Sequence, residues 1–163
     1  MKLSEGVEWG LHCGVLLAAL PPGAALSGSA LAEFHGVSES YLPKHLQALV
    51  RGGLFESVPG PRGGFRLARA PESITLLDVV QAIDGPEPAF RCTEIRQRGP
   101  AGLEPSAYPL PCAIHATMRR AEHAWREVLR AQTLADLAGL VAQRTDPRAL
   151  ARALPWLEQH VRE

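Results

Sequence analysis

A chain of 163 residues, 46% of them apolar, is long enough for a buried core and too apolar for disorder. Its formal net charge is zero, and three scattered cysteines, Cys13, Cys92 and Cys112, exclude a disulfide-stapled secreted scaffold. No apolar run reaches membrane-spanning length, and Glu5, Glu8 and His12 stand where a secretory leader would be apolar, so the expected location is the cytoplasm.

Taken in order, Val7, Leu11, Val15 and Ala18 recur at helical spacing and predict a buried stripe on a helix over Glu5–Leu20. Ser4 is the expected N-cap, and Pro21-Pro22-Gly23 the stop. A Gly/Ser/Ala-rich loop leads to a short helix over Ala30–His35, a turn at Gly36-Val37, and a second helix over Glu39–Arg51 with Leu42, Leu46, Leu49 and Val50 inward. Two short helices about a glycine turn make a helix-turn-helix pattern. Gly52-Gly53 ends the second helix; Leu54–Val58 and the alternating Phe65–Arg69 then read as two strands around the turn Pro59–Gly64. A helix-turn-helix followed directly by such a hairpin is a winged helix, a more specific signal than either part.

Ile74–Val79 opens the next helix, with Thr75 and Asp78 as a capping box and Ile74 and Val79 as a hydrophobic staple; it ends at Gly85-Pro86. Residues 86–111 form a loop with six prolines, long enough to suggest a function. A long helix over Cys112–Arg130 carries the stripe Ile114, Met118, Ala121, Trp125 and Leu129. Thr133 and Asp136 cap a further helix to Gln143, and the tail from Pro147 forms a last one interrupted at Pro155. The fold class is therefore mainly α with a small β-hairpin wing. Its expected units are 1–85 for DNA binding, 86–111 as a ligand-holding loop, 112–143 as dimerisation helices, and 144–163 as a helical tail.

Zero net charge conceals an uneven distribution. Residues 41–70 hold Lys44, Arg51, Arg62, Arg66 and Arg69 against Glu56, a local charge of +4, whereas residues 71–100 sum to −2. A basic patch in a neutral chain suits a protein that touches phosphates with one surface. The candidate contacts are Ser38, Ser40, Tyr41 and Lys44 near the start of the second helix, where groove-reading helices meet bases and phosphates. Pro43 is tolerable only in a first turn, which favours Ser40 over Ser38 as cap. In the wing, Arg62 would meet the minor groove or its phosphates, with Gly63 and Gly64 allowing close backbone approach.

Glu8 and His12, one turn apart on the first helix, share a face and offer an oxygen and a nitrogen donor. Cys92 and Cys112 bracket the proline-rich loop and offer two thiolates. Together these donors suit a [2Fe–2S] cluster or a zinc ion; unligated, they read as a polar stripe and two buried thiols. His115, one turn past Cys112, competes for the fourth place. Cys13 points about 100° from His12 and reads as core.

Several stretches carry a family resemblance: Met1-Lys-Leu-Ser with Gly6-Val-Glu-Trp9, Leu11-His-Cys13, Val37-Ser38 with Ser40-Tyr-Leu42, and Gly63-Gly-Phe65. Ile74 to Ala82, Asp84-Gly-Pro86, Phe90 and Cys92 to Pro100 extend it. Over about residues 1–143 the sequence resembles the Rrf-type, IscR/NsrR-like transcriptional regulators, and among them the RsrR-like members. The resemblance implies a dimer whose long helices cross and whose iron–sulfur cluster controls binding to palindromic double-stranded DNA operators. Typical cluster-binding members place three cysteines in the loop; this chain has two around it, Cys92 and Cys112. The RsrR-like arrangement completes the set with a Glu and a His from the other subunit's first helix, which fall on Glu8 and His12. The IscR-like arrangement uses a His that falls on His115. The cofactor so implied is a [2Fe–2S] cluster with mixed Cys/His/Glu ligands; the alternative is a zinc-bound or cluster-free regulator sensing a small molecule or a thiol oxidant. No phosphate loop or nucleophile–base motif suggests an enzyme.

Overall fold

The computed structural model describes residues 3–60 and 63–162. Seven α-helices and one hairpin follow in chain order: α1 (Glu5–Ala18), α2 (Gly28–His35), α3 (Leu42–Arg51), β1 (Phe55–Val58), β2 (Gly64–Leu67), α4 (Leu76–Asp84), α5 (Ala113–Arg130), α6 (Leu134–Arg144) and α7 (Pro147–His160). The strands pair antiparallel with Phe55 opposite Leu67 and Val58 opposite Gly64. This is the expected mainly helical, winged helix-turn-helix fold. No helix among the described residues is long and apolar enough to cross a membrane.

The core is built from Leu26, Leu31, Leu42, Leu46, Leu49, Phe55, Ile74, Val79 and Leu134, all but sealed from solvent. Cys13 lies among them, as its helical phase predicts, and burial pushes its thiol pKa up to about 12. Helix α1 is central and packs against α3, α4 and α6. Its most buried face differs from the expected apolar stripe: it consists of Gly6, Val7, Gly10, Cys13, Gly14, Leu16 and Leu17, whereas Leu11, Val15 and Ala18 are half-buried. Two of the glycines are there for close approach. A Cβ on Gly6 would lie 2.2 Å from the His45 ring, and one on Gly10 would lie 2.6 Å from Ile83. Glycine weakens a helix by about 0.5–1 kcal/mol; here it lets α3 and α4 close on α1.

Local signals place α4 and α6. The Thr75–Asp78 and Thr133–Asp136 capping boxes both form. Thr75 and Thr133 also make an antiparallel bridge, with Leu76 N–H donating to the Gln132 carbonyl and Leu134 N–H to that of Ile74, so the two helix starts are tied together. Helix α6 thereby returns to the body and seats Leu134 in the core.

Three expectations are corrected. Ser4 occupies the N-cap position of α1 but makes no cap bond; its N–H and hydroxyl instead donate to the Asp84 carboxylate (3.0 and 2.5 Å) at the end of α4. Helix α3 begins at Leu42, with Tyr41 at the N-cap position and Pro43 in the first turn, so neither Ser38 nor Ser40 is its cap. Pro155 does not interrupt the tail, because α7 runs through it to His160.

Candidate DNA-reading surface and sensor site

The helix-turn-helix is α2, a turn at Gly36 in the left-handed conformation (φ 64°), and α3. The hydroxyls of Ser38 and Ser40 lie 3.0 Å apart in the turn before α3, and Tyr41 is 55% exposed with the Lys44 ammonium 5.6 Å from its ring centre. These four side chains share one exposed edge, at and just before the first turn of α3 rather than along it. Missed from sequence was His45, buried between Trp9 (5.7 Å between ring centres) and Tyr41 (5.8 Å), over Gly6.

Not all of the basic patch is available for phosphates. Arg66 pairs with Glu56 across the hairpin at 2.9 Å, holding that carboxyl below its usual pKa, and Arg69 pairs with Asp78 at 3.3 Å. Arg62, the expected wing contact, lies outside the described residues. Gly63 is buried, and its lack of a side chain is explained within the chain, because a Cβ would come within 2.0 Å of the Val58 carbonyl. A Cβ on Gly64 would meet the Leu26 carbonyl at 2.4 Å. Both glycines shape the wing from inside.

The loop 86–111 contains two short 3-10 turns, Ile95–Gln97 and Pro105–Ala107, and is stitched by one arginine. Arg96 donates to the Glu94 carboxylate (2.7 Å) near Cys92 and to the Leu110 carbonyl (2.7 Å) near Cys112, while its own carbonyl accepts from the Tyr108 hydroxyl (2.9 Å). Glu94 is the single non-glycine with positive φ (51°) among the described residues, a conformation that costs energy and is held by these bonds. Its carboxyl is held below the usual range, first by Arg96, and accepts from the Cys92 thiol at 3.8 Å. Sequence spacing offered no signal for Arg96, whose partners lie on either side of it along the loop. The loop's first residues are anchored on α5: Ala89 N–H donates to Glu122, and Arg126 donates to Glu122 and to the carbonyls of Pro86 and Glu87.

Cys112 stands at the N-terminus of α5. The N–H of His115 lowers its thiol pKa most; that of Ile114 and the Cys92 side chain assist, against desolvation and the Glu94 carboxylate. The structure thus brings Cys92 and Cys112 together. His115 follows within the first turn of α5, its Nδ1 buried without a hydrogen-bond partner. Glu8 and His12 are exposed on α1 and line a groove of about 480 Å³ against Leu137 and Val141 of α6, which neither cysteine enters. Among the described residues no group of three or more His, Cys, Asp or Glu is arranged to hold a metal ion. Two thiols converging on a helix N-terminus fit the sulfur side of a cluster or zinc site; among the described residues of one copy of the chain, no four-donor set is assembled.

Comparison with known proteins agrees with this architecture. The family described as Rrf2, iron-dependent transcriptional regulator, matches residues 3–139. YwgB of Bacillus subtilis (strain 168), named an HTH-type transcriptional regulator, is 31% identical over 162 residues, covering 99% of this chain and 98% of YwgB. YffB of Lactococcus lactis subsp. lactis (strain IL1403), similarly named, is 36% identical over 138 residues, 85% of this chain and 87% of YffB. Among solved structures, CymR, the global cysteine regulator of B. subtilis, is similar with a TM-score of 0.69 and 27% identity over 90% of this chain and 99% of CymR. The IscR of T. potens is similar with a TM-score of 0.66 and 25% identity, over 90% and 93%. Matched by the family over residues 3–139 and by YwgB over almost its whole length, and folded as a winged helix, the chain belongs to the Rrf2 family of transcriptional regulators.

Proposed function

We propose that this regulator binds a palindromic double-stranded DNA operator as a homodimer. In this reading it senses redox or iron–sulfur status through a [2Fe–2S] cluster held by Cys92 and Cys112, with Glu8 and His12 contributed across the subunit boundary. The observation that carries the reading is the meeting of Cys92 and Cys112 at the start of α5, where helix N–H groups favour the Cys112 thiolate that ligation requires. Pairing across subunits is supported by α5 itself: none of its residues is buried, and Ile114 and Val128 are 65% and 66% exposed along an otherwise amphipathic helix.

A bound cluster would supply a one-electron change in charge at the loop. The chain's own residues then provide the connection to DNA. Helix α1 presents Glu8 and His12 outward, while Trp9, between them in sequence, packs edge-on to Tyr41 and His45 at the start of α3. A shift of α1 is therefore felt where Ser38, Ser40, Tyr41 and Lys44 would meet the major groove. Arg62 at the wing would hold the flanking phosphates, while Gly63 and Gly64 shape the hairpin from inside.

The test is purification without oxygen, followed by visible absorbance, resonance Raman spectroscopy, and iron and sulfide analysis. The reading expects a coloured protein with stoichiometric iron and sulfide, lost in Cys92→Ala and Cys112→Ala. Loss of non-cysteine ligand bands in His12→Ala supports ligation across subunits; their loss in His115→Ala alone assigns the nitrogen to His115, as its unpartnered Nδ1 would favour. A colourless preparation, with or without zinc, supports the second reading, a cluster-free or zinc-bound sensor of a small molecule or thiol oxidant. The structural likeness to CymR, the global cysteine regulator of B. subtilis, is the observation behind that reading, as the likeness to IscR is behind the first.

A further inference from the structure

The segment after α6 is absent from the family match, which ends at residue 139, yet it is joined to both halves of the DNA-reading unit. Asp146 caps α7 through the Arg148 N–H (2.8 Å), fixing where the helix begins. Ten residues on, the Trp156 indole N–H donates to Glu33 of α2 (3.0 Å), its ring lies 5.2 Å from Phe34, and His160 stacks on it at 3.9 Å. Leu157 and Val161 pack at the edge of the core. The chain then turns extended.

There, Arg162 makes a reciprocal pair of backbone hydrogen bonds with Ala25 (2.8 and 3.0 Å), while the next residue, Leu26, makes a reciprocal pair with Phe65 of β2 (2.7 and 3.1 Å). Residues 25 and 26 are thus held between the wing strand and Arg162. The Arg162 guanidinium also donates at 2.9 Å to the carbonyl of Gly63, the residue that follows Arg62 in sequence and precedes β2. A two-stranded hairpin has little stability of its own, so its orientation depends on what holds its base. Here one side chain grips the turn and the same residue's backbone extends the ribbon.

We infer that Arg162 is a positioning residue of the wing, and that the segment 147–162 is a clasp holding the wing and α2 in one fixed relation. This rests on the proposed contact between wing and DNA. Its effect on affinity is exerted through Arg62 and is separate from whatever the start of α3 contributes.

The experiment uses the full chain and a mixed-sequence DNA duplex, with amide hydrogen exchange read in the absence of DNA and binding read by fluorescence anisotropy across a salt series. Arg162→Ala is expected to speed exchange at Leu26 and Phe65 by tenfold or more, while Val79 in α4 keeps its protection and so reports an intact fold. Binding should weaken several-fold and the salt slope fall by about one, as if a phosphate contact were lost. Arg162→Lys, which keeps a donor for the carbonyl, should recover part of both. In an Arg62→Ala background, Arg162→Ala should cause no further loss, whereas in a Lys44→Ala background its full effect should persist. Full additivity with Arg62→Ala, or unchanged exchange at Leu26 and Phe65 while Arg62→Ala still weakens binding, overturns the inference. Unchanged binding in both Arg62→Ala and Lys44→Ala overturns the reading beneath it.

Discussion

Trp9 of α1 stands edge-on to His45 of α3, ring centres 5.7 Å apart and planes at 87°. The contact exists because Gly6, one turn before Trp9, leaves the His45 ring room against the backbone of α1. The helix carrying the sensor candidates is thereby keyed into the helix expected to read DNA. Gly6→Ala tests the key. In an open helix the change would stabilise by about 0.5–1 kcal/mol. Here the new methyl would lie 2.2 Å from a buried ring flanked by Trp9 and Tyr41, and α3 must move. The expected outcome is net destabilisation of about 1–3 kcal/mol in urea unfolding, with altered tryptophan fluorescence. A stabilised protein with unchanged fluorescence would mean that His45 yields without cost.

What the amino-acid order made legible was whatever depends on near neighbours. The two capping boxes were readable because Thr and Asp three residues apart satisfy each other's backbone groups, and the hairpin because alternation and glycines lie within one short stretch. The start of α3 was misplaced by three residues because Ser38 and Ser40 have the chemistry of caps, while Pro43 admits a helix that begins only at Leu42. Long-range pairings left no mark. Ser4 looks like a cap until Asp84 is seen to claim it, and nothing near residue 25 foretells Arg162. On the sensor side, the bracketing cysteines were legible, whereas Arg96, which ties their surroundings together, was not.

The thiols of Cys112 and Cys13 should differ sharply in reactivity. Cys112 has a lowered pKa, with the His115 N–H as the main cause, and is half-exposed; Cys13 is sealed in the core, with its pKa pushed up to about 12 by burial. In iron-free protein at mildly alkaline pH, iodoacetamide should modify Cys112 in the folded state and Cys13 only on unfolding. Peptide mass mapping over time reads the order. Early labelling of Cys13 would show that α1 opens readily.

Arg96→Ala removes the side chain that spans Glu94 and Leu110. Its ion pair is partly exposed, so global stability should fall by less than about 1 kcal/mol. Glu94 would lose the partner that holds it at positive φ, and the two ends of the loop would no longer be tied. Limited proteolysis should then cut within 86–111 faster by an order of magnitude, with α1–α4 still resistant. Cutting at the wild-type rate would assign the order of the loop to Arg126 and Glu122 instead.

His35, the last residue of α2, links acid sensitivity to the same region. Its ring lies 5.5 Å from that of His12 and 5.1 Å from that of Phe34, and its Nε2 is buried without a partner. Burial, and secondarily the charge of His12, lower its pKa from 6.5 to about 4. Between those values the unfolded chain binds a proton that the folded chain refuses. Stability is therefore complete above pH 6.5 and is lost as pH falls through 4. Other groups also respond to acid, so the informative quantity is a difference between variants. Urea midpoints measured from neutral pH down to about 4 should fall less steeply for His35→Leu than for the unaltered chain. His12→Ala should give an intermediate slope, because it removes only the second cause. Parallel curves for all three proteins would show that the His35 ring reaches water in the folded state, and the coupling between α1 and α2 would have to be sought in packing alone.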